Sequence, residues 1–422
     1  MAAPRAAIVR SWVVLWLVLQ VGTIAAIFVV DLVPDDMILD QVAADLDAGR
    51  ITTEWPSQSW VGSTQDTFGE CFLLVGGYDD GTYGTLETIT GQPSFGACEP
   101  LATAIEARGA GETIVADTHF RYWHGLTVVA RPFMALTSVV VLRVVAGLVL
   151  VASLASVVRS ATSIAGPLGA AALLVPVVAT GDLHGMVSVF HHPLMLAVGL
   201  ATIGWVLSAA ARSVPDERLA FGATGFAALY NVVDLFNFVP GVWLVATGAA
   251  AAARPLGTSL AARRRSGLAV GVGWVSGYGV MWLSLWVWAA VATSPTKIWD
   301  DVVTKILFRI GGDEEFESAG FGVGLLRNLE FWAERPGAVP MIGVLIVAGA
   351  LALWSVRRDR DALAAVTVAV APAVLVVPWM LGAGQHHENH PWFEYRSFPM
   401  LLGLGLFAVA CARSGRFSTG PA

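Results

Sequence analysis

Residues 8–40 read IVRSWVVLWLVLQVGTIAAIFVVDLVPDDMILD. An apolar run from about Ile8 to Val30 has Arg5 and Arg10 at its head and Asp31, Asp35, Asp36 and Asp40 at its tail. Such a run is long enough to cross roughly 30 Å of hydrocarbon. Basic residues stay on the cytoplasmic side, so the flanking charges put the N-terminus inside and the next segment outside. A cleaved signal peptide is the competing reading, but the run is longer than a signal core and has no small-residue cleavage site at its end.

Further runs of this kind follow, at about 137–158, 162–180, 191–211, 219–233, 239–253, 267–293, 338–355, 362–382 and 397–412. The stretch 219–253 is too long for one crossing and is interrupted by Asn231, Asp234, Asn237 and Pro240, which reads as a tight hairpin. The expectation is therefore an all-α polytopic membrane protein of about ten transmembrane helices, multi-pass in the plasma membrane with both termini cytoplasmic. Composition agrees: 56% of the 422 residues are hydrophobic and 14% charged, against about 25% charged in a soluble domain. A soluble enzyme, a disordered chain and a β-barrel are excluded, the last because its strands alternate in polarity every residue. The loops assigned to the inside are rich in arginine (Arg159, Arg212, Arg218, Arg254, Arg263, Arg264, Arg265, Arg357, Arg358, Arg360), as are the termini (Arg413, Arg416). No long basic patch exists elsewhere, so nucleic acid is not an expected partner.

Residues 31–120 form the one long polar segment and hold 16 of the 32 acidic residues. They read as a small mixed extracytoplasmic domain inserted after the first helix (1–30), with 121–422 as the transmembrane helical domain and outer loops at 294–337 and 383–396. Cys71 and Cys98 share that oxidising-side segment and read as a disulfide, the alternative being two free thiols. All eight histidines (His119, His124, His184, His191, His192, His386, His387, His390) fall on the outer side or at its boundary. Any acid–base chemistry faces outward.

Four stretches carry candidate chemistry. Arg121-Tyr122-Trp123-His124-Gly125, leading into Arg131-Pro132, pairs interfacial aromatics with arginines able to hold a lipid phosphate, or is a plain aromatic belt with snorkelling arginines. Asp234 sits at the tip of the hairpin, as a cavity carboxylate or a turn cap. Gly384-Gln385-His386-His387-Glu388-Asn389-His390-Pro391-Trp392-Phe393-Glu394-Tyr395-Arg396 is the densest. His386 and His390 are spaced to share a helical face, although the H-E-x-x-H order is absent. Asp35-Asp36, and Asp66 with Glu70 at i, i+4, are carboxylate pairs able to hold a divalent cation, magnesium or manganese, against a lipid phosphate. Arg143 lies within a span, an expensive position that marks a site or a buried ion pair. Loop 294–337 has an amphipathic stretch, Ile298 to Ile310, read as interfacial, and an acidic run, Asp313, Glu314, Glu315 and Glu317. There is no phosphate-binding G-x-x-x-x-G-K-[ST] loop, no G-x-S-x-G elbow and no visible internal repeat.

This layout, with Asp35, Asp36, Asp66 and Glu70 in a large first outer loop followed by many spans, resembles the GT-C glycosyltransferases. The Arg121–Pro132 and Asn389–Arg396 segments are also similar to motifs of uncharacterised bacterial integral membrane proteins. The resemblance implies a polyprenyl-phosphate-linked sugar as donor, a glycan or lipid as acceptor, and transfer at the extracytoplasmic face. Under it Asp35, Asp36, Asp66, Glu70, His124 and His390 are the catalytic candidates. Arg121, Arg131, Asp234, His386, Glu394 and Arg396 are the substrate-binding ones. A transporter or flippase and a non-catalytic scaffold or sensor are the alternatives.

Overall fold

The computed structural model describes residues 5–54, 57–58, 64–79, 81–255, 257–311, 320–335 and 337–414. The acidic run Asp313–Glu317 and Arg416 lie outside these residues. The chain opens with α1 (Arg5–Asp31) and α2 (Asp35–Asp47), then a two-residue antiparallel pairing of β1 (Ser57–Gln58) with β2 (Thr64–Gln65). Three short helices follow, α3 (Thr67–Leu74), α4 (Thr85–Gly91) and α5 (Cys98–Gly109), and then α6 (Thr127–Leu136), α7 (Val139–Thr180), α8 (Leu183–Val187), α9 (His191–Ala211), α10 (Asp216–Val233), α11 (Val239–Ala252) and α12 (Leu260–Ala292). The C-terminal part holds α13 (Pro295–Gly311), α14 (Val323–Ala333), α15 (Ala338–Val356), α16 (Arg360–Val370), a 3-10 turn over Ala371–Leu375, α17 (Val376–Gly382), α18 (Gly384–Asn389), α19 (Pro391–Glu394) and α20 (Ser397–Arg413). The protein is all-α, and six helical stretches among the described residues are long and apolar enough to cross a membrane: Arg10–Asp31, α7, α9, α12, α15 and Arg360–Gly382.

α7 is not one rod. A straight helix of 42 residues would run about 63 Å. Gly166, at φ 72° and ψ −178°, breaks it, a conformation open to glycine but strained for residues with a side chain. Both ends of α7 then meet the same group. Arg143 on its first turn and the backbone of Phe190, ten residues past its last, both bond to Glu70, so the chain turns back on itself at Gly166. The sequence reading puts this break near Arg159. Gly166 decides it, because glycine supplies the backbone freedom that an arginine does not.

Close helix approach holds the bundle. A Cβ at Gly277 would lie 2.3 Å from Thr224 O, and one at Gly273 2.5 Å from Ala220 O. Here α12 therefore touches the backbone of α10, as small residues permit in apolar surroundings. Thr224 Oγ1 donates to Gly273 O at 2.8 Å across that contact.

Among the described residues of 31–120, the regular structure is α2 to α5, the two-residue pairing and one isolated bridge between Ser94 and Asp117, joined by turns and irregular chain. Their buried side chains, Ile38, Val42, Leu73 and Leu101 among them, belong to the same apolar cluster as Leu142, Leu196 and Phe407. The segment is packed into the end of the helical bundle. Cys71 on α3 and Cys98 on α5 are joined by a disulfide, which closes this segment on itself.

Candidate functional site

Where that segment meets the bundle there is a cavity of about 240 Å³. Its walls come from stretches far apart in sequence: Asp66, Gly69 and Phe72 around α3, His119, Arg121 and Tyr122 before α6, Leu235 and Asn237 between α10 and α11, Arg309 on α13, and His386, His390 and Trp392 from the last loop. Of the candidates from the sequence, Asp66, Arg121, His386 and His390 are brought together here.

Asp66 caps the N-terminus of α3. Its Oδ1 accepts from Gly69 N at 3.2 Å, and its Oδ2 meets Nε2 of His191 at 3.2 Å and of His192 at 3.4 Å. Both histidines are buried on the first turn of α9. Burial pushes the Asp66 carboxyl up, but the two imidazoles outweigh it and hold it well below the usual carboxylate range. Gly69 makes the approach possible, since a Cβ there would stand 2.7 Å from His191 Nε2.

The opposite wall is cationic. Arg309 donates to Nδ1 of His386 and to the hydroxyl of Tyr122, and its guanidinium lies over the Phe236 ring, 5.2 Å from the centroid. Arg121 joins it, its pKa lowered by burial and by the neighbouring Arg309. The arginine on α13 is missed by sequence reasoning, which sees there only an amphipathic stretch. His119 and Tyr122 are likewise not singled out.

Behind His386 lies Glu394, completely buried. Its Oε1 is 3.3 Å from His386 Nε2 and its Oε2 3.7 Å from His387 Nδ1. Burial pushes Glu394 well above the ordinary range, helped by Asp234. Burial also lowers His386 well below its usual value, His387 to about 3 and His390 to about 4. At neutral pH the imidazoles are uncharged, and they surround a carboxyl whose ionised form burial disfavours. Asp234 stands behind the wall, accepting from Asn237 N at 3.0 Å and from the Tyr278 hydroxyl at 2.8 Å, and burial raises it to about 6.

The remaining candidates are placed elsewhere, each with a partner that explains it. Arg131 is buried and donates to Val30 O (3.1 Å), Gly76 O (3.1 Å), Val33 O (2.8 Å) and Asp35 (2.7 Å), so its guanidinium is spent on scaffolding. Asp36 is exposed and pairs with Arg108 at 2.8 Å. Glu70 holds Arg143. Arg396 sits behind His192, donating to Gly181 O and to His192 Nδ1, both at 3.2 Å. His124 lies behind Phe72, its Nε2 3.0 Å from His119 O and its pKa lowered by burial to about 3. The Asp45-Leu46-Asp47 pair, not singled out from sequence, is structural at Asp45, which accepts from Arg50 (2.6 Å) and Val139 N (2.8 Å).

The cavity thus offers two arginines, a carboxylate and uncharged imidazoles. Compared with protein families, curated proteins and solved structures, the chain matches none.

Proposed function

We propose that the protein is a membrane glycosyltransferase of GT-C-like layout, taking sugar from a polyprenyl-phosphate donor at the extracytoplasmic face. The observation that carries this reading is the presence of Arg121, Arg309, His390 and Asp66 on one cavity. Two guanidiniums suit the leaving phosphate. His390, uncharged at neutral pH, takes the proton of the acceptor hydroxyl. Arg121, Tyr122 and Arg309 also line an adjoining space of about 40 Å³ whose other walls include Trp282, Trp286, Val302 and Ile306. Phosphate-binding cations next to apolar walls suit an amphiphilic donor.

Ten crossings with both termini cytoplasmic, in the plasma membrane, go with this reading. α7 counts twice once it turns back at Gly166, and the shorter α10, α11 and α20 add three to the six long helices. The arginines at Arg263–Arg265, Arg357, Arg358 and Arg413 then lie at the helix ends away from the cavity, on the inside.

The test is reconstitution of the full chain in vesicles with a panel of polyprenyl-phosphate-linked sugars, reading release of polyprenyl phosphate. Turnover that falls at least about tenfold in Arg309→Gln, equivalent to roughly 1.4 kcal/mol of barrier, supports the reading. Movement of an intact lipid-linked sugar across the membrane without its cleavage reassigns the protein as a transporter.

A further inference from the structure

Asp66, His191 and His192 have a geometry that hydrogen bonding alone explains poorly. An N–H···O bond from an uncharged imidazole spans about 2.7–3.2 Å. Here the two Nε2–Oδ2 separations are 3.2 and 3.4 Å, at and beyond the long end of that range. Four ligands placed tetrahedrally at about 2.0–2.1 Å from a metal ion stand about 3.3 Å apart, and the two separations bracket that value. The three ligand atoms all lie within 4.8 Å of one another, and all three residues are buried.

We propose that Asp66, His191 and His192 bind one divalent metal ion of the zinc type, whose open coordination position faces the cavity and takes a phosphate oxygen.

Three features besides the spacing support this. Asp66 Oδ1 is occupied by Gly69 N, which leaves Oδ2 as a single ligand oxygen pointing at both rings. The missing side chain of Gly69 keeps open the space beside His191 Nε2, and Gly69 and Asp66 both line the cavity, so the fourth position is reached from there. The donor set of two imidazole nitrogens and one carboxylate oxygen suits zinc. Magnesium and calcium prefer oxygen throughout. Three protein ligands with one position open is the pattern of a reactive rather than a purely structural centre. Arg121 and Arg309 on the facing wall would hold the other oxygens of the same phosphate.

Arg396 makes the proposal specific to this chain. Its Nη1 donates to His192 Nδ1 at 3.2 Å, which places the proton of His192 on Nε2, facing Asp66. A metal on Nε2 moves that proton to Nδ1, where it meets the guanidinium. Ion binding therefore displaces Arg396 toward Asp182, whose Oδ2 is 4.0 Å from Nη2. Arg396→Gln, whose amide oxygen accepts from Nδ1–H, should bind the ion more tightly than the native chain.

The test does not depend on glycosyl transfer. The full-length protein in nanodiscs is stripped with chelator and titrated separately with zinc, cobalt and magnesium, with bound metal measured by mass spectrometry. The expected result is one zinc or cobalt per chain, visible cobalt d–d bands of a four-coordinate site, and no competition from magnesium. His191→Ala and Asp66→Ala should each lose more than about 100-fold in zinc affinity, beyond the 10–100-fold typical of removing an outer-shell partner. The exposed His184→Ala should not change. Native protein that takes up neither zinc nor cobalt overturns the proposal, as does undiminished stoichiometric uptake by His191→Ala. Since a variant can fail to fold, the uptake and cobalt spectrum of the native protein decide independently of the substitutions. Ion binding without glycosyl transfer leaves this inference standing and removes the functional reading, and metal-free transfer does the reverse.

Discussion

Arg143 Nε lies 2.9 Å from Glu70 Oε1, and the same oxygen accepts from the backbone N–H of Phe190 at 3.1 Å. One carboxylate thus ties the start of α7 to the approach to α9, and fixes the hairpin that turns at Gly166. Removing one member of a buried ion pair strands the other without compensation. Glu70→Ala should therefore lower unfolding stability by about 3–5 kcal/mol, read as a fall in melting temperature in detergent. Glu70→Leu combined with Arg143→Met should recover most of the loss.

The Cys71–Cys98 disulfide closes a loop with a sequence separation of 27. In the chain-entropy picture this contributes about 3–4 kcal/mol. Cys71→Ala with Cys98→Ala should melt markedly earlier, and non-reducing peptide mapping of the native protein should recover the two peptides as one species. Finding both cysteines alkylated without prior reduction would contradict the bond.

Asp234 predicts a pH dependence. Its folded pKa of about 6 stands above the ordinary 3.8. Its contribution to stability is complete below the unfolded value and is lost as pH rises through about 6, on the order of 3 kcal/mol in all. Asp234→Asn cannot ionise. The difference in melting temperature, variant minus native, should therefore grow as pH rises from 4 to 7, while the other titrating groups largely cancel. A difference that stays flat across this range would show that Asp234 titrates normally.

Among the arginines, Arg309→Gln should abolish copurification of polyprenyl phosphate while leaving the melting temperature within a few degrees. Arg131→Gln should do the opposite, since its four hydrogen bonds go to the protein's own carbonyls and Asp35, with Asp31 also nearby. Lipid mass spectrometry and thermal unfolding on the same preparations separate the two. Loss of lipid in Arg131→Gln with unchanged stability would exchange their roles.

The long helices were legible because continuous apolar runs have few outcomes other than burial or a bilayer. The helical hairpin at Asp234 and the cysteine pair were legible for similarly local reasons. The site was legible only in fragments. Asp66 and His191 are 125 positions apart, and Arg309 and His386 are 77 apart; no periodicity links such pairs. Arg131 and Arg396 bond inside the protein, which the sequence does not show, because an arginine at the edge of a span serves a lipid phosphate or a backbone carbonyl equally well. Arg309 was hidden by its helix, whose exposed Trp299 and Leu307 made it read as interfacial.

The order in which the cavity walls occur along the chain is also an order in time. Asp66, His191 and His192 can assemble once the first half of the polypeptide has left the ribosome and entered the bilayer. Arg309, His386 and His390 arrive later, the two histidines with the stretch between α17 and α20. For the interval between, Asp66 and Arg121 are present without Arg309, His386 and His390, so only part of the cavity lining exists. A chain halted before residue 380 or so would lack His386, His390 and Trp392 and so could not complete the cavity.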